Sequence, residues 1–346
     1  MDQQIGFASL GDRRVAYATV GSGRAIVLPP WWVSHVSEDW GTVRLRQFVE
    51  ALARDRRVVR FDRVGTGASD GERPVGEFTL DVEVATLAAV VDALELDSFA
   101  LLGISCGGCT AARYAAREPE RVERLVLYGS YADGRRLGTV DVRLGMVDVV
   151  RASWGLGARV LTEIFMPGAE PAERAAFAAF QRSSAGRDTA ARLLELIYGS
   201  DVTVDLTRVT APTLVLHRRL DRAVPFRLGA EVAALLPAAE FGELEGEAHL
   251  PWHGDETSVI AASAAFLGIP APLADEASGA DRLGELSGRE REVLQLVARG
   301  LTDPQIAREL ILSPHTIHRH VANIRTKLRL PSRAAAAAYA ARSGLL

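Results

Sequence analysis

The sequence has little cysteine, almost no lysine and no long apolar run. Its two cysteines are too few for a disulfide scaffold, and Lys327 is the only lysine among 346 residues, a scarcity that we attribute to base composition. No stretch of about 18 apolar residues occurs, so no membrane-spanning helix and no membrane partner is expected. The first residues lack a basic region followed by an apolar one, so we expect no secretory signal and a cytoplasmic protein.

Charge is distributed unevenly along the chain. From Arg282 onwards, 11 arginine and lysine residues stand against 5 acidic residues, whereas residues 1–281 carry 29 against 39. A basic tail on an acidic body indicates that only the tail meets a polyanion. An ordinary solvated surface would account for the same charges.

A change of composition divides the chain. Residues 270–281, PAPLADEASGAD, show no helical or strand period and predict a linker. Before it, short apolar runs alternate with helical runs, which is typical of a parallel sheet covered by helices. One long helical excursion from that sheet predicts a cap, and so the fold class is α/β with a small all-α domain after it. The predicted boundaries are 1–269 for the first domain (core 1–134 and 205–269, cap about 135–204) and 282–346 for the second.

Ser105 lies in LLGISCGGCTAARYAA, between a predicted strand and a predicted helix. Gly103 and Gly107 leave the room that a sharp strand-to-helix turn requires. Such a turn would place the serine near the positive end of the helix, where the Cys106 backbone N–H can donate to an oxyanion. The pattern predicts a nucleophilic serine.

Two later residues would complete the chemistry. Asp221 follows one predicted strand and His249 follows the next. His249 would take the proton of Ser105 as general base, and Asp221 would orient the imidazole. Taken singly, His249 is equally well a hydrogen-bonded loop histidine and Asp221 a turn residue, but their positions at matched strand ends favour a triad.

These motifs resemble the α/β-hydrolase superfamily from Val15 to about Leu267. FDRVGTGASD at 61–70 and VERLVLYGS at 122–130 add to the resemblance. It implies an eight-stranded, mostly parallel sheet with the first strands antiparallel. It also implies a second oxyanion donor, by alignment the Trp31 N–H, although the family's usual His-Gly is replaced here by Pro-Pro-Trp-Trp at 29–32.

Four tryptophans are candidate pocket residues, and they favour a bulky apolar or aromatic ligand, although large aromatics are more often core. They are Trp31, Trp32, Trp154 and Trp252. The C-x-x-C of Cys106 and Cys109 is a conceivable redox switch, but we favour two small buried hydrophobic side chains. No cofactor and no metal is expected.

The basic tail predicts four helices with helix-turn-helix spacing between the second and third. Their starts carry caps: Ser287 with Glu290, Thr302 with Gln305, Ser313, and Ser332. The third helix has one predicted buried stripe: Ile317, Val321, Ile324 and Leu328. Its other face has donors and cations but no acid, which suits a major groove: Thr316, His318, Arg319, His320, Asn323 and Lys327. A zinc site at His315, His318 and His320 is disfavoured, because no residues nearby would complete a tetrahedral set of ligands.

The tail resembles the LuxR-type DNA-binding domain over essentially its whole length. The resemblance implies that His318, Arg319 and Ala322 face base edges, with His318 where a lysine is common. It also implies that Thr316, His320 and Lys327 lie near phosphates. The fourth helix would carry dimer contacts, so a homodimer on a two-fold operator in double-stranded DNA is expected.

The two halves together predict a transcription regulator whose α/β-hydrolase domain senses a small apolar or aromatic ligand, with or without hydrolysing it. The alternative is a serine esterase or lactonase with an appended DNA-binding module. A third hypothesis is a scaffold that recruits RNA polymerase without any ligand.

Overall fold

The computed structural model describes residues 1–71, 73–269, 286–328, 330, 333–342 and 345. The chain divides into two compact units, Met1–Ile269 and Pro270–Leu346. The linker predicted at 270–281 and the predicted start of the second domain at Arg282 lie outside the described residues. Within the described ranges, no helix combines the length and the apolar character needed to cross a membrane.

The first unit is built on one eight-stranded sheet. Its strands are β1 (Gln4–Leu10), β2 (Arg13–Gly21), β3 (Arg24–Leu28), β4 (Arg56–Phe61), β5 (Phe99–Ile104), β6 (Val122–Tyr128), β7 (Thr213–Arg218) and β8 (Ala239–Leu244). Their order is β1-β2-β4-β3-β5-β6-β7-β8. β2 runs antiparallel to β1 and β4, and the remaining pairs are parallel. The mixed sheet that the resemblance implied is confirmed.

Helices cover both faces of this sheet. The helices described in the first unit, including those of the cap, are in chain order α1 (Val43–Leu52), α2 (Leu80–Ala93), α3 (Gly107–Arg117), α4 (Val140–Ala152), α5 (Trp154–Phe165), α6 (Pro171–Ser184), α7 (Arg187–Gly199), α8 (Thr203–Leu206), α9 (Phe226–Leu235) and α10 (Glu256–Leu267). Every residue of β5 is buried, as expected of a central strand between two helical layers.

The helices α4 to α8 all lie between β6 and β7, where the sequence predicted a cap. Helices α4, α5, α6 and α7 form their own apolar core, which also takes in Trp32 and Val33 from the loop after β3. The cap therefore packs directly onto that loop.

The described residues of the second unit form four helices: α11 (Gly288–Ala298), α12 (Asp303–Leu310), α13 (Pro314–Leu328) and α14 (Arg333–Arg342). The two predicted capping boxes are present at the starts of α11 and α12. The Ser313 hydroxyl accepts a hydrogen bond from the Thr316 N–H at 3.1 Å, as a cap does. The predicted cap Ser332 lies outside the described residues. The predicted buried stripe is confirmed at all four positions: Ile317, Val321, Ile324 and Leu328.

Candidate functional site

Ser105 occupies a strained turn between β5 and α3. Its φ of +51° lies in the left-handed region, which is unfavourable for any residue with a Cβ. The Ser105 N–H donates to the Tyr128 carbonyl at 2.9 Å, and the Ser130 hydroxyl donates to the Ser105 carbonyl at 2.9 Å. The end of β6 therefore holds the serine backbone from both sides.

Glycines make this turn sterically feasible. A Cβ on Gly103 would lie 2.6 Å from the Gly108 Cα, and a Cβ on Gly107 would lie 2.8 Å from the Pro29 carbonyl oxygen. A Cβ on Gly108 would lie only 1.9 Å from the Ser130 hydroxyl oxygen. The sequence pattern identified the first two glycines, and the structure adds Gly108.

Asp221 and His249 meet beyond the ends of β7 and β8. The His249 Nδ1 and the Asp221 Oδ2 lie 2.8 Å apart, and both side chains are fully buried. The other carboxylate oxygen, Oδ1, accepts the N–H groups of Ala223 at 2.9 Å and Val224 at 3.1 Å. Burial alone would raise the pKa of Asp221, but the neighbouring His249 and these hydrogen bonds hold it below its ordinary value. The carboxylate is therefore ionised at neutral pH.

The His249 ring makes no hydrogen bond to Ser105 in the structure. Its Nε2 is buried and has no hydrogen-bond partner among the described residues. A Cβ on Gly129 would lie 3.2 Å from the His249 Cε1 and 3.4 Å from the Asp221 Oδ2. Because Gly129 directly follows Tyr128, the residue that holds Ser105, the end of β6 touches all three members of the predicted triad.

Arg218 is a site residue that the sequence analysis did not identify. Its guanidinium is buried and donates to the carbonyls of Ala248 at 2.7 Å, Leu250 at 3.1 Å and Asp255 at 3.0 Å. Ala248 and Leu250 flank His249 in sequence, so Arg218 fixes the loop that presents the imidazole. An arginine at the end of the strand TLVLHR, all of whose residues are buried, is the signal that could have found it.

The two segments that carry the predicted oxyanion donors are in contact. The Cys106 thiol donates to the Trp31 carbonyl at 3.0 Å, which joins the loop after β3 to the start of α3. The backbone N–H groups of Trp31 and Cys106 donate to no acceptor within the described part of the chain. Two unpaired N–H groups beside a serine are what a developing oxyanion requires.

A second residue missed by the sequence analysis, Arg63, anchors this loop. Its guanidinium donates to the Trp32 carbonyl at 2.7 Å and the Pro30 carbonyl at 2.8 Å, and it pairs with Glu83 at 2.8 Å. Arg73 pairs with the other oxygen of Glu83 at 2.8 Å. Burial alone would raise the pKa of Glu83, but the two guanidinium groups hold it below its ordinary value.

A cavity of about 170 Å³ lies beside Ser105, between the sheet and the cap. Trp31, Trp32 and Phe165 line it, together with residues of the cap helices α4, α5 and α7. The cap also touches the histidine loop, because the His249 N–H donates to the Phe165 carbonyl at 2.9 Å. This cavity is the site at which a small molecule would reach the serine.

Of the four predicted pocket tryptophans, Trp31 and Trp32 line this cavity. Trp154 packs inside the cap, where its indole N–H donates to the Ala185 carbonyl at 2.8 Å. Trp252 packs edge-on against Trp31, with ring centroids 5.3 Å apart, and turns towards Phe48 of α1. Neither is among the residues that line the cavity.

Cys106 and Cys109 are free, buried thiols. Burial raises the pKa of both thiols, so neither is a reactive thiolate at neutral pH. This favours small hydrophobic side chains over a redox switch. Among the described residues, no group of three histidine, cysteine, aspartate or glutamate side chains could hold a metal ion.

The predicted DNA-facing side of α13 is open to solvent at its centre. His318, Arg319, Ala322 and Asn323 are exposed, and Thr316 and His320 are half-buried. His318 Nδ1 lies 3.5 Å from the Asp303 carboxylate.

Lys327, which the resemblance implies to lie near phosphates, forms an ion pair within the protein. Its ammonium lies 2.7 Å from the carboxylate of the buried Glu290, which also caps α11. A phosphate contact would require Lys327 to leave or share this partner.

Comparison with known proteins agrees with both halves of the structure. A family model described as alpha/beta hydrolase fold matches residues 38–253, and one described as bacterial regulatory proteins, luxR family, matches residues 284–340. The 2-hydroxy-6-oxo-2,4-heptadienoate hydrolase of Pseudomonas putida is 31% identical over 240 residues, covering 64% of this chain and 80% of the relative. A putative carbamate hydrolase of Pantoea ananatis is 30% identical over 193 residues, covering 53% of this chain and 68% of the relative.

Solved structures share the fold of the first unit. The bromoperoxidase of Bacillus anthracis superimposes with a TM-score of 0.68 at 21% identity, covering 77% of this chain and 100% of the other. The enol-lactonase of Burkholderia xenovorans LB400 gives a TM-score of 0.67 at 22% identity, covering 76% and 100%.

Proposed function

Because the chain belongs to the α/β-hydrolase family and ends in a LuxR-family DNA-binding domain, we propose that it is a transcription regulator whose hydrolase domain senses a small, largely apolar ligand. The observation that carries the proposal is the cavity at Ser105, in the same polypeptide as the exposed, acid-free face of α13. The proposal includes a homodimer on a two-fold operator and RNA polymerase as the target of regulation.

The size of the cavity supports a compact ligand. At about 170 Å³ it is smaller than the ~300–1,000 Å³ of sites for drug-sized ligands. The substrate named for the relative in Pseudomonas putida, 2-hydroxy-6-oxo-2,4-heptadienoate, is a small unsaturated molecule of this size class.

DNA binding is tested by selecting duplexes from a random library with the full chain. We expect enrichment of an inverted repeat, because a dimer presents two copies of α13 related by two-fold symmetry. The matched variant Arg319→Ala should lose the enriched sequence, since Arg319 is exposed on the face assigned to base edges. Enrichment of no sequence by the unsubstituted chain contradicts the proposal.

A second candidate function, serine hydrolysis, is favoured by the buried Asp221–His249 pair. In it, the Ser105 hydroxyl attacks an ester or lactone carbonyl, and its proton passes to the His249 Nε2. The resulting oxyanion accepts the N–H groups of Trp31 and Cys106, while Asp221 stabilises the imidazolium. The C–O bond to the leaving alcohol breaks as His249 returns the proton to it. Water then repeats the sequence, releasing the acid and the free serine.

Hydrolysis is tested with p-nitrophenyl butanoate and intact-protein mass spectrometry after exposure to a fluorophosphonate. Turnover and labelling that disappear in Ser105→Ala, and persist in the exposed control Ser98→Ala, support the enzyme. Labelling without turnover supports a receptor that retains a reactive serine. Absence of both removes hydrolysis and leaves the sensing proposal in place.

A further inference from the structure

The lining of the cavity beside Ser105 contains one charged residue. Within the described part of the chain, its wall is apolar apart from Ser105, Arg222 and the hydroxyl groups of Tyr131 and Tyr198. No described aspartate or glutamate lines it. A wall of this kind accepts an apolar body and offers one fixed positive charge.

Arg222 lies where this cavity reaches solvent. Its side chain is 58% exposed although the residue lines the cavity. The backbone is held beside the site, because the N–H groups of the next two residues, Ala223 and Val224, donate to the Asp221 carboxylate. The backbone of Arg222 is therefore fixed beside Asp221, at the cavity mouth.

Arg222 forms an ion pair with Glu247 that is exposed to solvent and therefore weak. Its guanidinium pairs with Glu247 at 2.5 Å, but the Glu247 side chain is 42% exposed. Exposed pairs of this kind contribute about 0–1 kcal/mol, because water competes for both charges. A ligand carboxylate can replace Glu247 or share the guanidinium with it, since the planar group has five N–H donors.

We propose that the ligand of this cavity is a small apolar carboxylic acid, or the ester or lactone of one that carries a second carboxylate, and that Arg222 binds the carboxylate. The apolar part then lies against Trp31, Trp32 and Phe165, which line the cavity. This inference rests on the proposed function, because it assigns a chemical class to the ligand of the same cavity.

The test compares an anion with its neutral counterpart on the full chain. The probes are 3-phenylpropanoate and 3-phenylpropanol, which share the apolar body and differ in the charged end. Binding is followed by tryptophan fluorescence, to which the cavity residues Trp31 and Trp32 contribute, and by calorimetry. We expect the anion to bind about five-fold more tightly than the alcohol, the size of effect that a partly exposed Arg–carboxylate contact gives.

Three variants isolate the contact. Arg222→Met should abolish the preference for the anion and leave the affinity for the alcohol unchanged. Glu247→Gln should strengthen the preference, because it removes the competing carboxylate. Arg219→Met is the matched control: Arg219 follows β7 as well and pairs with the exposed Glu243, but it is absent from the cavity lining, so the preference should remain.

The outcomes separate this inference from the proposed function. Equal affinity of the unsubstituted chain for both probes, or a preference that survives Arg222→Met, overturns the inference and leaves an apolar sensing cavity in place. Binding of neither probe overturns the inference as well. That outcome leaves the proposed function to the duplex selection, which depends on neither probe.

Discussion

The Glu83→Gln substitution removes the negative charge shared by two buried arginines. Glu83 contacts Arg63 and Arg73 at 2.8 Å each, and the exposed fraction of all three side chains is 3% or less. Breaking a buried ion pair by removing one partner costs about 3–5 kcal/mol, because the remaining charge stays buried without compensation. At roughly 2 °C per kcal/mol for a domain of this size, the melting temperature of the hydrolase domain should fall by about 6–10 °C.

Tryptophan fluorescence isolates this domain, because all five tryptophans of the chain lie between Trp31 and Trp252. Urea unfolding followed by this signal therefore measures its free energy of unfolding. The matched control is Glu173→Gln, which breaks an exposed pair with Arg44 and should change stability by less than about 1 kcal/mol. A loss below 1 kcal/mol in Glu83→Gln would refute the reasoning.

The lowered pKa of Glu83 also predicts how the stability of the hydrolase domain changes with pH. The pKa of Glu83 in the folded protein lies below its ordinary value, because the two arginines outweigh burial. Its stabilisation is therefore complete above the ordinary glutamate pKa of about 4.3 and is lost as the pH falls through the folded pKa. The difference in free energy of unfolding between the unsubstituted chain and Glu83→Gln should decrease only at pH values below the ordinary glutamate pKa. A gap that is constant from neutral to strongly acid pH would contradict this.

Three further predictions address the site and the DNA-binding face. Asp221→Asn should reduce any ester turnover by about 10⁴-fold, because His249 would lose its orienting carboxylate; p-nitrophenyl ester kinetics measure this, and undiminished turnover removes the assigned role. Gly108→Ala should lower the free energy of unfolding of the hydrolase domain by about 3 kcal/mol or more, because its Cβ would overlap the Ser130 hydroxyl. Urea unfolding measures this loss. The control Gly145→Ala, with open space around it in α4, should instead stabilise by about 0.5–1 kcal/mol. Lys327→Ala should weaken binding to all duplexes. It should also reduce by about one the slope of the logarithm of the binding constant against the logarithm of the salt concentration. An unchanged slope would show that the ammonium stays on Glu290.

Local patterns in the sequence were sufficient to predict the strands and helices that position the candidate site. The run FALLGIS predicts a buried strand that ends at Ser105, and runs of the same kind place Asp221 and His249 beyond later strand ends. In the second unit, the 4-3-4 spacing from Ile317 to Leu328 identifies the buried face of α13. These features depend on neighbours within one element, which periodicity and turn residues report directly.

Contacts between distant segments could not be predicted in the same way. Arg218 binds carbonyls about 30 residues later in the chain, and Arg63 binds carbonyls about 30 residues earlier. Lys327 reaches Glu290 across 37 residues. Trp252 follows His249 closely in sequence but turns away from the cavity towards α1. Each of these outcomes depends on the packing of whole elements, which single-element patterns do not contain.

The central claim is that occupancy of the cavity at Ser105 changes how the chain binds DNA. The most direct measurement is the Kd of the full chain for its selected duplex, before and after complete modification of Ser105 by a fluorophosphonate, with Ser105→Ala treated in parallel. We predict a change of about five-fold or more in the unsubstituted chain and none in the variant, since coupling between sites is typically 1–3 kcal/mol. An identical Kd for the modified and unmodified chain would contradict the claim.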